Sequence, residues 1–392
     1  MFARRSWLAV GLWLICCSEG FAQFGPLIRV PEEYPTIQAA INAAGVNATV
    51  LVAPGTFVEN IDFLGKGIEL KSEQGPEVTI LDGNQNGPVI TITGGINHPR
   101  VTGFTIRNGN AFRGGGIRAQ NAIPIIIGNI ITNNVATDGG AGLVAIDSTA
   151  IIQGNIISNN RQSAGSVGGS GGGGMLFTGP ASSVVERNVI FGNSWATGDG
   201  GAISVLGGGR PTFKDNILTN NTAMRGGAIS SIEGSILKVF QNIVAENSAT
   251  YGGGMYWVIG PTAIAGPWLI NNTVTGNHAQ EGSAVFADGR AQIINNLLIA
   301  PAGQTAVTCA SLPSTETPTF QSNNVMSLSG SGYSGGCGDQ TGLNGNISQD
   351  PLFRNPAAGD YHLLNGSPSI DTASEPTSAF GGLPFDLEGR SR

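Results

Sequence analysis

Charged side chains are scarce in this sequence, which has 392 residues and only 11% Asp, Glu, Lys and Arg, against about 25% in an average soluble domain. Lys and Arg together number 19, and the formal net charge is −7. Nucleic-acid binding depends on a concentrated basic surface, which this composition does not supply. We therefore expect no nucleic-acid partner.

Aromatic residues and long apolar runs are also few. Aromatics make up 7% of the chain while apolar residues reach 40%, so a core must be filled mainly by Ile, Val, Leu and Ala. After the N-terminal residues no apolar run is long enough to span a membrane, and no transmembrane segment is expected. Glycine is abundant instead, with 61 copies, which favours a chain that turns often.

Histidine is rare: His98, His278 and His362 are the only three, and they lie far apart in the sequence. A metal centre or a nucleophile and its base need such groups to converge, so we expect neither a metal nor a cofactor. Asp138 and Asp199 each precede a glycine pair. Turn chemistry explains both residues, and cation binding is the alternative.

The first 22 residues have the composition of an export signal. Arg4 and Arg5 precede an apolar stretch, and the small residues Gly20 and Ala22 suit cleavage before Gln23. A lipidated cysteine at position 16 or 17 is the alternative form of processing. The sequence thus predicts a signal peptide over 1–22 and a protein that is secreted, extracellular or displayed on the cell surface.

Two cysteines remain after the signal, Cys309 and Cys337. In oxidising surroundings we expect them to form a disulfide, whereas a reactive thiol would need an adjacent base that neither has. The bridge would tie down a Gly/Ser-rich loop region predicted over 301–348.

A short phrase recurs along the chain, as GNIITNN at 128–134, GNIISNN at 154–160 and looser copies afterwards. Aligning the copies places one asparagine in a column at successive intervals of 26, 33, 28, 26, 30 and 24 residues. A repeat of this period predicts a solenoid, and Gly and Asn interrupt it too often for helical coils. The column consists of Asn129, Asn155, Asn188, Asn216, Asn242, Asn272 and Asn296.

The positions beside this asparagine are apolar. The third residue before it and the second after it are apolar in every copy, as Ile126 and Ile131 are around Asn129. Both must face inward in a stack of coils about 4.8 Å apart. The asparagine would lie at a bend, in left-handed backbone, with its amide bonded to the next coil. The phrase therefore predicts a strand, a bend and a second strand.

The two columns that immediately precede the repeated asparagine carry charged residues in some coils. Glu186 and Lys214 share one column in neighbouring coils, and Arg187 and Asp215 share the next. Opposite charges one strand spacing apart predict two ion pairs between coils.

A second repeated phrase consists of glycines followed by an apolar residue, as in GGAI at 200–203 and 226–229. The glycines would turn a corner, the apolar residue would enter the core, and its successor would face outward. These successors are Arg118, Val144, Leu176, Ser204, Ser230, Tyr256 and Phe286. On this register Trp257 should face the core.

One face of the coils therefore combines rings with charges. Aromatic rings suit sugar faces, and charged groups suit hydroxyls or uronates. We predict a ligand-binding strip made of Tyr251, Tyr256, Phe286, Asp199 and Arg225. Loops that simply cover this face are the alternative.

These repeats resemble the right-handed parallel β-helix of the pectin-lyase-like superfamily. VPEEYPTIQAAINAAG at 30–45 is similar to that superfamily's N-terminal entry, and Thr36 could cap a short helix that plugs the first coil. QDPLFRNPAAGDYHLLNGSPSIDTA at 349–373, with FDLEGR further on, looks like a choice-of-anchor Q region. The resemblance implies an all-β solenoid over 23–300, an N-terminal cap at about 30–49 and a separate C-terminal region over 349–392.

The superfamily includes polysaccharide lyases, glycoside hydrolases and adhesins, so the fold does not decide the function. The sequence lacks the carboxylate clusters that sugar hydrolysis or calcium-dependent lysis would need. We favour a non-catalytic protein that binds a polysaccharide or a cell-surface glycan. The alternative is a polysaccharide lyase or glycoside hydrolase that acts on an acidic polysaccharide.

Overall fold

The computed structural model describes residues 25–94, 97–166, 168–258, 266–310, 317–370 and 372–373. The predicted signal peptide lies outside the described residues. In these ranges the chain is an all-β parallel solenoid of about 11 turns, which confirms the predicted fold class. No helix among the described residues is both long and apolar enough to cross a membrane.

Three parallel sheets run the length of the solenoid, and each turn contributes one strand to each of them. Sheet 1 contains Leu27–Val30, Thr49–Val52, Glu69–Ser72, Arg100–Thr102, Ile125–Ile127, Ile151–Gln153, Val184–Glu186, Thr212–Lys214, Lys238–Phe240, Trp268–Ile270, Gln292–Ile294 and Thr319–Gln321. Sheet 2 contains Gly55–Val58, Thr79–Asp82, Thr105–Arg107, Ile130–Thr132, Ile156–Ser158, Val189–Phe191, Ile217–Thr219, Ile243–Ala245, Thr273–Thr275, Leu297–Ala300 and Asn324–Ser327. Sheet 3 contains Ile61–Asp62, Ile90–Thr93, Ile117–Gln120, Leu143–Ile146, Met175–Thr178, Ile203–Leu206, Ile229–Ser231, Met255–Trp257, Val285–Ala287, Val307–Cys309 and Tyr333–Gly335.

A shorter fourth sheet, which was not predicted from the sequence, lies between sheets 2 and 3 in the central turns. Its strands are Asn110–Arg113, Val135–Gly139, Arg161–Gln162, Ser194–Asp199 and Thr222–Arg225. The order along a central coil is therefore sheet 1, sheet 2, sheet 4, sheet 3.

The apolar columns form the core. The residues three before and two after the repeated asparagine are all fully buried, and their strands pair in the predicted register, for example Ile126 with Ile152 and Ile131 with Ile157. Trp257 is fully buried as well. Inward burial of the two columns is thus confirmed.

The repeated asparagines form a continuous hydrogen-bonded ladder inside the wall. Each side-chain Nδ2 donates to Oδ1 of the asparagine in the next coil over 2.9–3.1 Å. The ladder runs through Asn129, Asn155, Asn188, Asn216, Asn242, Asn272, Asn296, Asn323 and Asn346. It therefore extends two coils beyond the predicted column.

A second ladder, which sequence reasoning missed, lies at the other end of sheet 2. Its rungs are Asn134, Asn160, Asn193, Asn221, Asn247 and Asn277, with bonds of 2.9–3.0 Å. The left-handed backbone belongs to the residue before each rung, such as Gly128 and Asn133. The prediction that the ladder asparagine itself would be left-handed is wrong, because its amide must point along the wall.

The charged columns pair within a coil rather than between coils. Arg187 Nη2 lies 2.6 Å from the carboxylate of Glu186, and Lys214 Nζ lies 3.4 Å from that of Asp215. Arg187 and Asp215 have left-handed backbone at the bend. Each therefore pairs with the residue just before it in the same coil. The predicted cross-coil pairs do not form among the described residues.

The N-terminal end of the solenoid is covered by one helix, Ile37–Ala43. The Thr36 side chain accepts from the N–H of Ala39 over 3.1 Å, which satisfies one of the free donors at the helix start. Ile37 and Ile41 are fully buried against the first strands. The predicted cap thus occupies the open end.

The C-terminal coils differ from the predicted boundaries. Residues 301–348 contain four strands that extend sheets 1, 2 and 3, so this part continues the solenoid and is more than a loop region. Cys309 and Cys337 form a disulfide with a Cα–Cα distance of 5.4 Å. A hairpin of Phe353–Asn355 and Asp360–Leu363 follows, joined by the 3-10 turn Pro356–Ala358.

Candidate functional site

The outer face of sheet 3 is largely covered rather than open. Val144, Leu176, Ser204 and Ser230 point outward from their strands, yet all four are fully buried. The glycine-rich corner lies on top of them: a Cβ on Gly139 would come 2.6 Å from Leu176 Cδ2. Loop cover, the alternative in the sequence reasoning, is what occurs in the central coils.

The cover ends where the fourth sheet ends, and there the five predicted residues lie together. Arg225 is the last residue of sheet 4, and it is bridged to Tyr251 in the next coil. Tyr256 and Phe286 are register partners on adjacent strands of sheet 3. Asp199 lies one coil before Arg225. We call Tyr251, Tyr256 and Phe286 the aromatic strip.

The rings of the aromatic strip contact one another through Phe286. The centroids of Tyr256 and Phe286 are 5.2 Å apart and nearly parallel, and Tyr251 meets Phe286 edge-on at 5.9 Å. The guanidinium carbon of Arg225 lies 5.6 Å from the centroid of Tyr256. Tyr256 thus lies between the guanidinium of Arg225 and the ring of Phe286. Tyr251 is 36% exposed. Phe286 is paired with the shorter Thr308 in the next coil. The three rings therefore differ in exposure, and Tyr251 is the most exposed.

Asp199 and Arg225 form a two-point ion pair at the edge of the strip. Nε and Nη2 of Arg225 each lie 2.8 Å from a carboxylate oxygen of Asp199, and Ser230 Oγ donates to the same carboxylate over 3.2 Å. Burial raises the pKa of Asp199 despite the charge of Arg225. Burial also raises the pKa of the Tyr256 hydroxyl, and Arg225 partly offsets this effect.

A similar pair lies three coils earlier. Arg113 bonds the carboxylate of Asp138 and donates through Nη2 to Ser170 Oγ over 2.9 Å. Both aspartates proposed as turn residues or cation ligands are therefore held by arginines. Within the described ranges, no three His, Cys, Asp or Glu side chains lie close enough together to hold a metal ion.

Two acidic residues beside the strip were not singled out from the sequence. Glu281 is exposed and bridged to Tyr251. Asp288 is only 1% exposed, and no donor among the described residues reaches either of its oxygens. Its charge raises the pKa of Tyr256. Asp288 follows Phe286 by two positions on the same outer face, and this alternation was the signal that could have identified it.

Comparison with known proteins agrees with this architecture. The family described as the right handed beta helix region matches residues 58–260, just over half of the chain. The chain therefore belongs to the right-handed β-helix family. No curated protein matches it in sequence.

Solved structures of similar fold come from polysaccharide-acting enzymes. Pectate lyase Pel9A superposes with a TM-score of 0.57 at 10% identity, over 95% of this chain and 98% of its own. The A-module of mannuronan C-5 epimerase AlgE6 from Azotobacter vinelandii gives a TM-score of 0.50 at 14% identity, over 76% of this chain and 84% of its own. At these identities the likeness establishes the shared fold alone.

Proposed function

We propose that this chain is an exported, non-catalytic glycan-binding protein whose binding site is the aromatic strip with Arg225 and Asp199. The observation that carries the proposal is the cluster of three touching rings where the glycine-rich cover of sheet 3 ends. Partly exposed rings next to polar groups suit the apolar face and the hydroxyls of a sugar. The names of both structural neighbours, which act on polysaccharides, support a glycan partner.

The charges around the strip favour a neutral glycan over an acidic one. The guanidinium of Arg225 faces the Asp199 carboxylate, to which Nη2 donates over 2.8 Å. Glu281 and Asp288 add two carboxylates beside the rings. A uronate would meet a net negative surface, and like charges at close range disfavour binding. Neutral hydroxyls can instead donate to the exposed carboxylate of Glu281.

A glycan array probed with the full chain tests the proposal. Neutral glycans should give the hits, and each of Tyr251→Ala and Phe286→Ala should weaken binding by about 1–2 kcal/mol, since these rings have free surface to offer. Phe112→Ala is the matched control, because Phe112 is an exposed ring in a distant coil, at 68% exposure. Circular dichroism should be the same for all variants.

Two results would contradict the proposal in different ways. If both strip variants bind every hit as tightly as the parent, the site is elsewhere. If incubation with the hits releases reducing ends or unsaturated products, the chain is a glycoside hydrolase or a polysaccharide lyase, and the non-catalytic assignment is wrong.

A further inference from the structure

A groove of about 540 Å³ lies between the C-terminal hairpin and the edge of the last coils. One wall is formed by the ends of sheet 2 strands, with Ile299 and Leu328, and the other by the hairpin, with Leu352, Phe353 and Tyr361. The rings of Phe353 and Tyr361 meet edge-on at 5.5 Å. The groove is therefore mainly apolar, with two aromatic rings on one side.

The carboxylate of Glu246 lines the solenoid wall of this groove. Glu246 precedes a rung of the second asparagine ladder and has left-handed backbone, with a φ of 57°. In the other coils this position is held by asparagine or glycine, as in Asn159, Gly192 and Asn220. Glutamate adopts this conformation less readily than asparagine or glycine.

The next coil is built to receive that carboxylate. Gly276 lies above Glu246, and a Cβ on Gly276 would collide with Glu246 Oε1. Glycine at 276 thus leaves room for the carboxylate on the groove wall. Both residues line the groove.

The charge of the groove has one sign. Glu246 and Asp350 line it, and no Lys or Arg does so among its described lining residues. His278 is bonded through Nδ1 to Gln304 over 3.1 Å. Burial together with the charge of Glu246 raises the pKa of the Tyr361 hydroxyl to about 12, so this ring stays neutral and keeps the electron-rich face that attracts cations.

We propose that this groove binds an organic cation, an ammonium group carried on a small apolar body. Glu246 meets the charge, the ring faces of Phe353 and Tyr361 contact the groups around the nitrogen, and the leucines and Ile299 contact the apolar body. The ligand is held by complementary charge and by exclusion of water, with no covalent step. This site is separate from the aromatic strip and does not depend on its function.

The test uses two probes of the same shape, choline and its neutral isostere 3,3-dimethylbutan-1-ol, with the full chain and saturation-transfer NMR or calorimetry. Choline should bind at least ten times more tightly than the alcohol. Glu246→Gln should weaken choline binding at least tenfold. Glu246→Asn should do the same, and asparagine adopts left-handed backbone more readily than glutamate, so this variant guards against a folding defect. Glu77→Gln, an exposed carboxylate in an early coil, should bind choline as the parent does.

Three outcomes would overturn the proposal. The first is no saturable choline binding by the parent. The second is equal affinity for choline and the alcohol, which would mean an apolar pocket without charge recognition. The third is unchanged choline affinity in both Glu246 variants, which would place the cation elsewhere.

Discussion

At the scale of single residues, the side-chain amides of the buried asparagines join each coil to the next through hydrogen bonds. Asn216, for example, donates to Val185 O and Asn242 Oδ1 and accepts from Asn188, all within 3.0 Å. Every polar atom of its side chain is thus satisfied away from water. Losing such a side chain leaves buried partners on two neighbouring coils without a bond.

Asn216→Ala is expected to lower the free energy of unfolding by about 2–4 kcal/mol, because at least two buried groups lose their partner at about 1–3 kcal/mol each. Thermal and urea unfolding, followed by circular dichroism, measure the change. Asn86→Ala, at an exposed asparagine, is the control and should be nearly neutral. A loss below about 0.5 kcal/mol for Asn216→Ala would show that the ladder bonds add little over water.

Two aspartates that both face arginines have opposite pKa shifts. At Asp82 burial acts upward, but bonds from the Asn84 N–H, Arg107 and Asn108 outweigh it and lower the pKa below 3.8. At Asp199 burial outweighs Arg225 and Ser230, and the pKa lies above 3.8. Depth of burial, more than the presence of an arginine, decides the sign.

The two shifts predict opposite pH dependences of stability. A lowered pKa gives stability that is present above 3.8 and lost as the pH falls through the folded pKa, whereas a raised pKa gives stability that is present below 3.8 and lost as the pH rises through the folded value. The difference in Tm between parent and Asp82→Asn should therefore shrink from about pH 6 to about pH 3, and that for Asp199→Asn should grow. Parallel trends for the two variants would contradict this account.

Residue-scale prediction from the sequence succeeded where a column has one chemical character. The asparagine and apolar columns were identified because every coil repeats them. The pairing of Asp138 with Arg113 and of Asp199 with Arg225 was missed, since each pair occurs once and joins residues 25 or 26 positions apart.

At the scale of elements, strands and bends followed from the repeat, but the cover of sheet 3 did not. The alternation of inward and outward side chains along a strand predicts that Leu176 points outward. It does not predict that the glycine-rich corner covers this side chain. The fourth sheet was hidden for the same reason: its strands, such as Ser194–Asp199, have no apolar alternation to mark them. The strip could be predicted because its rings are large and few.

The disulfide is the covalent link between the last two strands of sheet 3. Cys309 ends one strand, and Cys337 follows its neighbour, Tyr333–Gly335. Replacing both cysteines with serine should lower the free energy of unfolding by about 3.5 kcal/mol on the chain-entropy model. Intact mass of the purified protein before and after alkylation should show no free thiol, and two alkylated cysteines in the parent would contradict the bridge.

At the scale of the whole molecule, a parallel solenoid must protect its ends. An open end presents unpaired strand edges that can pair with another chain. Here the helix Ile37–Ala43 covers the first coils, and Lys66 Nζ bonds three carbonyls at the end of that helix, including Ile41 O at 2.8 Å. The cap is thus held at both of its own ends.

Ile41→Asp should displace the helix, because it places a charge at a fully buried position. We expect the variant to self-associate, which size-exclusion chromatography with light scattering would detect as a higher mass. Ala43→Asp, at an exposed position of the same helix, should keep the mass of the parent. A soluble Ile41→Asp chain of unchanged mass would show that the helix is not needed to block the end.

The asparagine ladders also give the solenoid an electrical direction. In each rung the amide nitrogen points to the following coil and the oxygen to the preceding one; at the first rung the oxygen of Asn129 accepts from the N–H of Phe104 over 3.0 Å. The amide dipoles therefore point the same way and add, as peptide dipoles do along an α-helix. The early coils form the negative pole and the late coils the positive one. A duplicated coil can be spliced into the stack only in the orientation that continues this polarity.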